Sequence, residues 1–256
     1  MHIVAMHGLG PDRETHAPAL VSALGITMYE ALSRLRSPGS GPFTIGLFAD
    51  QERAMQIAEK LRTAGFSAIV LTDDEITAEH SALNARKFVL AERELSVVTE
   101  TGQNLSIPFR NVRIILRGTG IVTGTATEEV KNRSLSMGRA VMSGGLMLTK
   151  TTKTVREVTT QERTAFFNLY AENSPVIVFR DNGLVYDSLG PALRPSRTLN
   201  FNYLITELRR RCPDAQYDER LLTRPAQVAL LGPALIPEEH LSEATALLAK
   251  TLGLRS

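Results

Sequence analysis

Six positively charged side chains fall between Val130 and Arg156, a stretch that contains no acidic residue. Lysine and arginine at this density can neutralise the phosphates of a nucleic acid or of an anionic lipid. Residues 118–163 contain no aromatic residue, which argues against single-stranded nucleic acid bound by base stacking. We therefore expect an anionic-ligand or partner contact that is made by Lys131, Arg133, Arg139, Lys150, Lys153 and Arg156.

The centre of the same stretch, residues 140–148, is apolar and contains glycine. It could insert shallowly into a membrane, dock on a protein, or add as a strand to the sheet edge of a second copy. The alternative interpretation is a solvated loop or a twisted β-ribbon, because charged runs are usually plain surface. The candidate hydrophobic contacts are Val141, Met142, Leu146, Met147 and Leu148.

Nucleophilic catalysis lacks its required partners in this sequence. His7-Gly8-Leu9-Gly10 follows a short apolar run and has the pattern of an oxyanion turn. Such a turn needs a serine on a G-x-S-x-G elbow between a strand and a helix, and residues 134–138 do not fit that pattern. A strand that ends in a glycine turn is the simpler interpretation.

Metal and cofactor motifs are equally incomplete. The five histidines do not pair at helical ligand spacing, and Cys212 has no C-x-x-C partner. Residues 138–145 are glycine-containing but lack the G-K-[ST] of a phosphate loop. We expect no catalytic, metal or cofactor site. An enzyme built from scattered residues such as Arg180, Asp181 and Asp187 is an alternative, which a deep pocket with perturbed carboxylates would support.

Composition sets the broad class. Of the 256 residues 43% are hydrophobic, which is ordinary for a chain with a buried core. Lys and Arg number 29 and Asp and Glu 27, so the net charge of +2 does not itself indicate nucleic acid or membrane. The single cysteine favours a reducing compartment. With neither a signal peptide nor a transmembrane run apparent, we expect a cytoplasmic protein, or one peripheral at the inner membrane face.

The elements that must position these residues form two modules in an α+β arrangement. Residues 1–76 predict the order β-α-α-β-α-β. Thr27 and Glu30 form a capping box at the start of the second helix. Asp50 caps the third helix and Gly65 follows its end. The strands on either side of that helix are expected to be parallel.

The second module is expected to be a mostly antiparallel β-barrel or sheet over residues 86–214, joined to the first by a linker at residues 77–85. Residues 87–116 predict a meander of four short strands. The basic insertion occupies residues 118–161, and Asp181-Asn182-Gly183 predicts a hairpin turn.

Two helices complete the second half of the chain. Residues 201–211 predict a helix that closes the β module, and residues 215–256 predict a tail with a helix over about 237–252. The inward residues of the closing helix are Leu204, Ile205 and Leu208.

The first module resembles the C-terminal domain of ribosomal protein L7/L12 in element order and in four stretches of sequence. The resemblance covers about residues 3–71 and rests on residues 24–31, Pro38, residues 52–61 and Ala64-Gly65. It implies docking of protein partners on the second helix. This chain has Met28 and Leu32 where that family has lysines on the exposed face.

Residues 86–214 are similar to bacterial pleckstrin-homology-like or GRAM-like domains, in which strands come first and one amphipathic helix closes the barrel. The resemblance implies a ligand that is a lipid, a peptide or a partner protein, without fixing which. Together these features predict a non-catalytic binding, scaffold or regulatory protein of two domains, with protein partners or self-association. A peripheral binder of anionic membrane through residues 131–156 is the first alternative.

Overall fold

The computed structural model describes residues 1–9, 12–36, 41–135 and 149–253, and for residues 122–162 the description does not extend to the side chains. The chain divides into two compact units. One comprises residues 1–120 together with 164–256, and the other comprises residues 121–163. The elements described below belong to the first unit, except that two long strands run on into residues 121–163.

The first elements confirm the expected β-α-α-β-α-β order. They are β1 His2–His7, α1 Ala17–Leu24, α2 Met28–Leu35, β2 Phe43–Phe48, α3 Gln51–Thr63 and β3 Ser67–Leu71. The capping box of α2 is complete, because the Thr27 side chain accepts from the Glu30 backbone while the Glu30 carboxylate accepts from the Thr27 backbone. Asp50 caps α3 through the backbone N–H of Glu52, and Gly65 adopts the positive φ of 88° that lets the chain leave the helix.

The three strands form a sheet in the order β2-β1-β3. Since β1 is antiparallel to both neighbours, β2 and β3 run parallel to each other, as expected. Alternating residues of β1 point to opposite faces. Val4 and Met6 pack with α1, α2 and α3, whereas Ile3 and Ala5 face a different core.

The remaining elements build a larger sheet and the helices around it. The strands are β4 Leu83–Leu90, β5 Glu94–Thr99, β6 Asn104–Pro108, β7 Val112–Leu135, β8 Thr149–Ala171, β9 Ile177–Arg180 and β10 Gln216–Leu221. The helices are α4 Asp73–His80, α5 Arg197–Arg211, α6 Arg224–Leu231 and α7 Leu241–Gly253.

The seven-stranded sheet is mixed, with the order β10-β7-β8-β9-β4-β5-β6. The α+β class is confirmed, but the described strands do not close into a barrel, since β10 and β6 are the two edges. The expected four-strand meander is limited to β4, β5 and β6, because β7 pairs with β8 and β10 at the other side of the sheet. The turn at Asp181-Asn182-Gly183 does not form a hairpin. After the turn the chain continues along β4 in the direction of β9, and Val185 makes a parallel bridge with Lys87.

Helix α5 covers one face of this sheet and confirms the expected closing helix. Leu204 and Leu208 are fully buried and Ile205 is nearly so. The aromatic centre of this core is a stacked pair, Phe167 and Phe179, with ring centroids 4.4 Å apart. Leu204, Ile205 and Leu208 lie in the same core cluster as that pair, which fixes α5 on the sheet.

The opposite face of the large sheet shares a core with the small sheet. Ile3 and Leu71 of the small sheet lie in one cluster with Leu116 and Phe166 of the large one, and helices α6 and α7 contribute Leu231 and Leu247. The linker expected at residues 77–85 is wrong, because these residues contain the end of α4 and the start of β4, and α4 and α7 pack together. The expected tail helix is present and its residues complete this core. Among the described residues, no helix has the length and apolarity needed to cross a membrane.

Candidate functional site

A groove of about 530 Å³ lies on the β4–β5–β6 end of the large sheet. Its lining follows from the strand register, because Lys87, Val98 and Asn104 are cross-strand neighbours in one row. Val89, Ser96 and Ser106 form the next row on the same face. The segment after β9 completes the lining with Val185, Asp187 and Ser188.

The groove is apolar at its base although it lies on an exposed face of the sheet. Val89 remains 53% exposed, and Val98 faces the same side. Small serines at positions 96 and 106 leave the space that larger residues would fill. Val89 and Val98 are diagonal neighbours on β4 and β5, and contiguous apolar residues in a concavity are typical of ligand sites.

Strand β6 presents an unpaired backbone edge beside this groove. The backbone N–H of Thr99 donates to the carbonyl of Gln103, so odd-numbered residues of the strand turn their backbone groups toward β5. Asn104 and Ser106 consequently direct their N–H and C=O groups to the opposite side. No described strand pairs with that side. Such an edge is a template for one more strand.

The three scattered polar residues that would suit an enzyme do not all meet in this groove. Only Asp187 lines it. Arg180 donates through Nε to Asn84 at 3.4 Å, and burial lowers the pKa of its guanidinium. The carbonyl oxygen of Asp181 accepts a hydrogen bond from the Tyr186 hydroxyl at 3.1 Å. These contacts give two of the three residues structural partners.

A buried polar cluster surrounds Glu79 at the end of α4. Its Oε1 accepts three hydrogen bonds, from Asn168 Nδ2 at 2.9 Å, the Tyr170 hydroxyl at 2.7 Å and Thr245 Oγ1 at 2.9 Å. Asn168 and Tyr170 belong to β8, and Thr245 belongs to α7. The cluster therefore ties α4, the large sheet and the C-terminal helix to one oxygen atom. Glu79 itself is only 8% exposed.

Burial dominates the electrostatics of this cluster. It raises the pKa of the Glu79 carboxyl above its ordinary value of 4.5, although the three donors act in the opposite direction. Burial, together with the nearby Glu79 charge, also raises the pKa of Tyr170 well above 10.0. The Oδ1 atom of Asn168 is buried and has no hydrogen-bond partner among the described residues. A carboxyl enclosed in this way is placed to link elements and not to meet a substrate.

Cys212, His16 and His80 each make a structural contact. Cys212 is buried at the end of α5, and burial raises the pKa of its thiol to about 11. His16 packs edge-on against Phe66 at 5.8 Å, and His80 lies 3.8 Å from the carboxylate of Glu243. In the described part of the chain, no group of three or more His, Cys, Asp or Glu side chains could hold a metal ion.

The basic segment falls largely outside the described residues. Lys131 and Arg133 lie on β7, and Lys150, Lys153 and Arg156 lie on β8, so the backbone on both flanks is strand, while their side chains lie outside the description. The rest of the predicted contact set lies outside the described residues altogether: Arg139, Val141, Met142, Leu146, Met147 and Leu148.

Two features of the site were not anticipated from the sequence. The groove depends on Val89 and Val98 facing outward, which the alternation of β4 and β5 could have indicated. Glu79 was assigned to a linker, yet its spacing of three from the buried Ile76 places both on one helical face.

A comparison of the chain with family models, with curated proteins and with solved structures found no match.

Proposed function

We propose that this chain is a non-catalytic binding or scaffold protein that captures an extended segment of a partner protein. The groove at β4–β6 is the recognition site and the free edge of β6 is the backbone template. The resemblance of residues 86–214 to pleckstrin-homology-like domains belongs to the same proposal, as does a cytoplasmic location.

The observation that carries the proposal is the open edge of β6 beside an apolar concavity. A strand that adds to β6 gains main-chain hydrogen bonds from Asn104 and Ser106. Its alternate side chains then lie on the groove side of the sheet, next to the row that contains Val98. The occupant is thus an extended peptide with a large apolar side chain at alternate positions.

Ser106 offers a matched pair of variants for the test. Ser106→Pro removes the outward N–H, whereas Ser106→Ala removes only the hydroxyl and retains the N–H. Uncharged peptides, selected from a displayed library for binding to the full chain, should bind the alanine variant as tightly as they bind wild type. They should bind the proline variant about tenfold more weakly, the equivalent of about one hydrogen bond.

Amide hydrogen exchange supplies the second readout. Bound peptide should slow exchange at Asn104 and Ser106, because their N–H groups become paired. Equal affinity for the proline variant, or selected peptides that protect other residues instead, would contradict the proposal. Slow amide exchange at Leu105 and Ile107, whose backbone groups pair with β5, shows that the edge strand still folds in both variants.

Contact of residues 131–156 with an anionic membrane is a separate proposal, supported by their charge alone. Sedimentation with vesicles of phosphatidylcholine, with and without phosphatidylserine, tests it. Binding only to the anionic vesicles is expected, and equal binding to both would refute it.

A further inference from the structure

The solvent side of α5 is a continuous stripe of arginine, tyrosine and leucine. Residues at spacings of three, four and seven share one helical face. On α5 these are Leu199, Asn202, Tyr203, Thr206, Arg209 and Arg210. Leu199 is 51% exposed, and both arginines of the stripe are exposed.

Stacking on tyrosine holds two guanidinium groups in place at this stripe. Arg209 lies over the Tyr217 ring at 4.0 Å from its centroid, and Arg194 lies over Tyr203 at 5.5 Å. A guanidinium that stacks on a ring still presents its N–H groups at the edge. The two groups are therefore oriented before any ligand arrives, and less side-chain entropy is lost on binding.

The charge of this surface is only partly neutralised. Glu207 pairs with both Arg210 and Arg211, and Glu219 accepts from the Tyr217 hydroxyl at 3.1 Å. No carboxylate of the described residues forms an ion pair with Arg194, Arg197 or Arg209. Beneath the stripe, Arg117 donates to Asn202 Oδ1 at 2.7 Å, while its Nε atom is buried and lacks an acceptor in the described structure. The surface therefore has an excess of positive charge, which favours an anionic partner over a neutral one.

We propose that the α5 stripe binds an acidic segment of a partner protein, at a surface separate from the β6 groove. Planar guanidinium edges match carboxylates with two parallel hydrogen bonds. Leu199 and the tyrosines supply the apolar and aromatic contact that protein interfaces favour. A nucleic acid fits less well, because each tyrosine ring already has a guanidinium over one face and so offers less surface to a stacked base.

Labelled peptides measure this directly by fluorescence anisotropy with the full chain at low salt. The probe is a short peptide of Glu, Gly and Ser, which lacks the large apolar side chains expected of a ligand of the β6 groove, and its control carries Gln in place of Glu. Wild type should bind the acidic peptide and not the Gln peptide. The double variant Arg194→Ala with Arg209→Ala should bind about tenfold more weakly, since it loses two charge-assisted contacts.

Arg53→Ala is the matched control, because Arg53 is an exposed arginine on α3, which packs on the three-stranded sheet and not on α5. It should leave the affinity unchanged, as should Ser106→Pro in the β6 groove. Arg209→Lys keeps the charge but not the planar edge, and should fall between wild type and the double variant.

Three results would overturn the proposal. The Gln peptide could bind wild type as tightly as the acidic peptide does. Arg53→Ala could lose as much affinity as the double variant. The acidic peptide could show no measurable binding to wild type. Tighter binding of oligothymidylate, or of vesicles with phosphatidylserine, would assign the stripe to nucleic acid or membrane instead.

Discussion

Replacing Glu79 with glutamine and with alanine separates the charge of this side chain from its role as an acceptor. Alanine removes the oxygen to which Asn168 and Tyr170 donate, so both buried donors lose this acceptor. Thr245 keeps the carbonyl of Ser242 as an alternative at 2.8 Å. At about 1–3 kcal/mol for each stranded donor, Glu79→Ala should lower the free energy of unfolding by about 2–6 kcal/mol.

Glutamine retains an acceptor oxygen and removes the charge. The folded-state pKa of Glu79 lies above its ordinary value of 4.5, because burial disfavours the ionised form. The folded state therefore binds the proton more tightly than the unfolded state, and wild-type stability falls as the pH rises from about 4.5 through the folded pKa. Glu79→Gln does not ionise, so its stability relative to wild type should rise over this window and then level off.

Urea unfolding of wild type and both variants, from pH 4.5 to pH 8, measures these differences. At neutral pH we expect Glu79→Gln to be at least as stable as wild type and Glu79→Ala to be the least stable. Two outcomes would refute the reasoning. If glutamine costs as much as alanine, the cluster needs the carboxylate charge. If alanine costs less than about 1 kcal/mol, the donors reach water and the site is not enclosed.

Two further changes test the packing. Gly118→Ala places a Cβ 2.5 Å from the Phe166 ring and should lower the free energy of unfolding in urea by about 1–3 kcal/mol. In the control Gly253→Ala the new Cβ meets nothing within 4 Å, so the stability should not change. A similar loss of stability in both variants would contradict the close approach at Gly118. Cys212, with a pKa of about 11 and little exposure, should react with a thiol reagent at pH 8 at least two orders of magnitude (roughly) more slowly than a free cysteine, and fast reaction of the folded chain would show that the end of α5 opens.

Local features of the fold were predictable because they depend on neighbouring residues. The capping box at Thr27 and the cap at Asp50 involve partners within three positions, so the sequence contains both members. The inward face of α5 followed from the spacing of Leu204, Ile205 and Leu208 in the same way.

Long-range features were not predictable by the same reasoning. An apolar face on a helix or strand indicates that other residues cover it, but the sequence pattern does not identify those residues. The periodicity of α7 gave its buried face, yet nothing local tells that Leu247 meets Ile3 of the first strand. The order of strands is likewise set by pairing across the sheet, which is why β7 was expected beside β6 and lies beside β10 and β8.

Some features of the candidate site were likewise predictable from the sequence, and others were not. The basic segment was apparent because charge is a property of composition. The β6 groove and the α5 stripe each need several elements. Val98 and Val185 meet in the groove although they are far apart in sequence, and the stripe combines α5 with Tyr217 of β10. Glu79 shows the limit most clearly, because its three donors are about 90 to 170 residues away.

The shared core between the sheets makes the order of synthesis matter. Leu71 and Leu247 lie in one cluster, so the cover of the outer face of the small sheet is incomplete until α7 leaves the ribosome. At about 5–20 residues per second, synthesis of the chain from Leu71 to α7 takes roughly 10–35 s. Lys250 then closes the seam, donating to the carbonyl of Val70 at 2.7 Å and to Glu75. During translation the first strands therefore expose part of an apolar face, and a chain cut before α7 would leave that part uncovered.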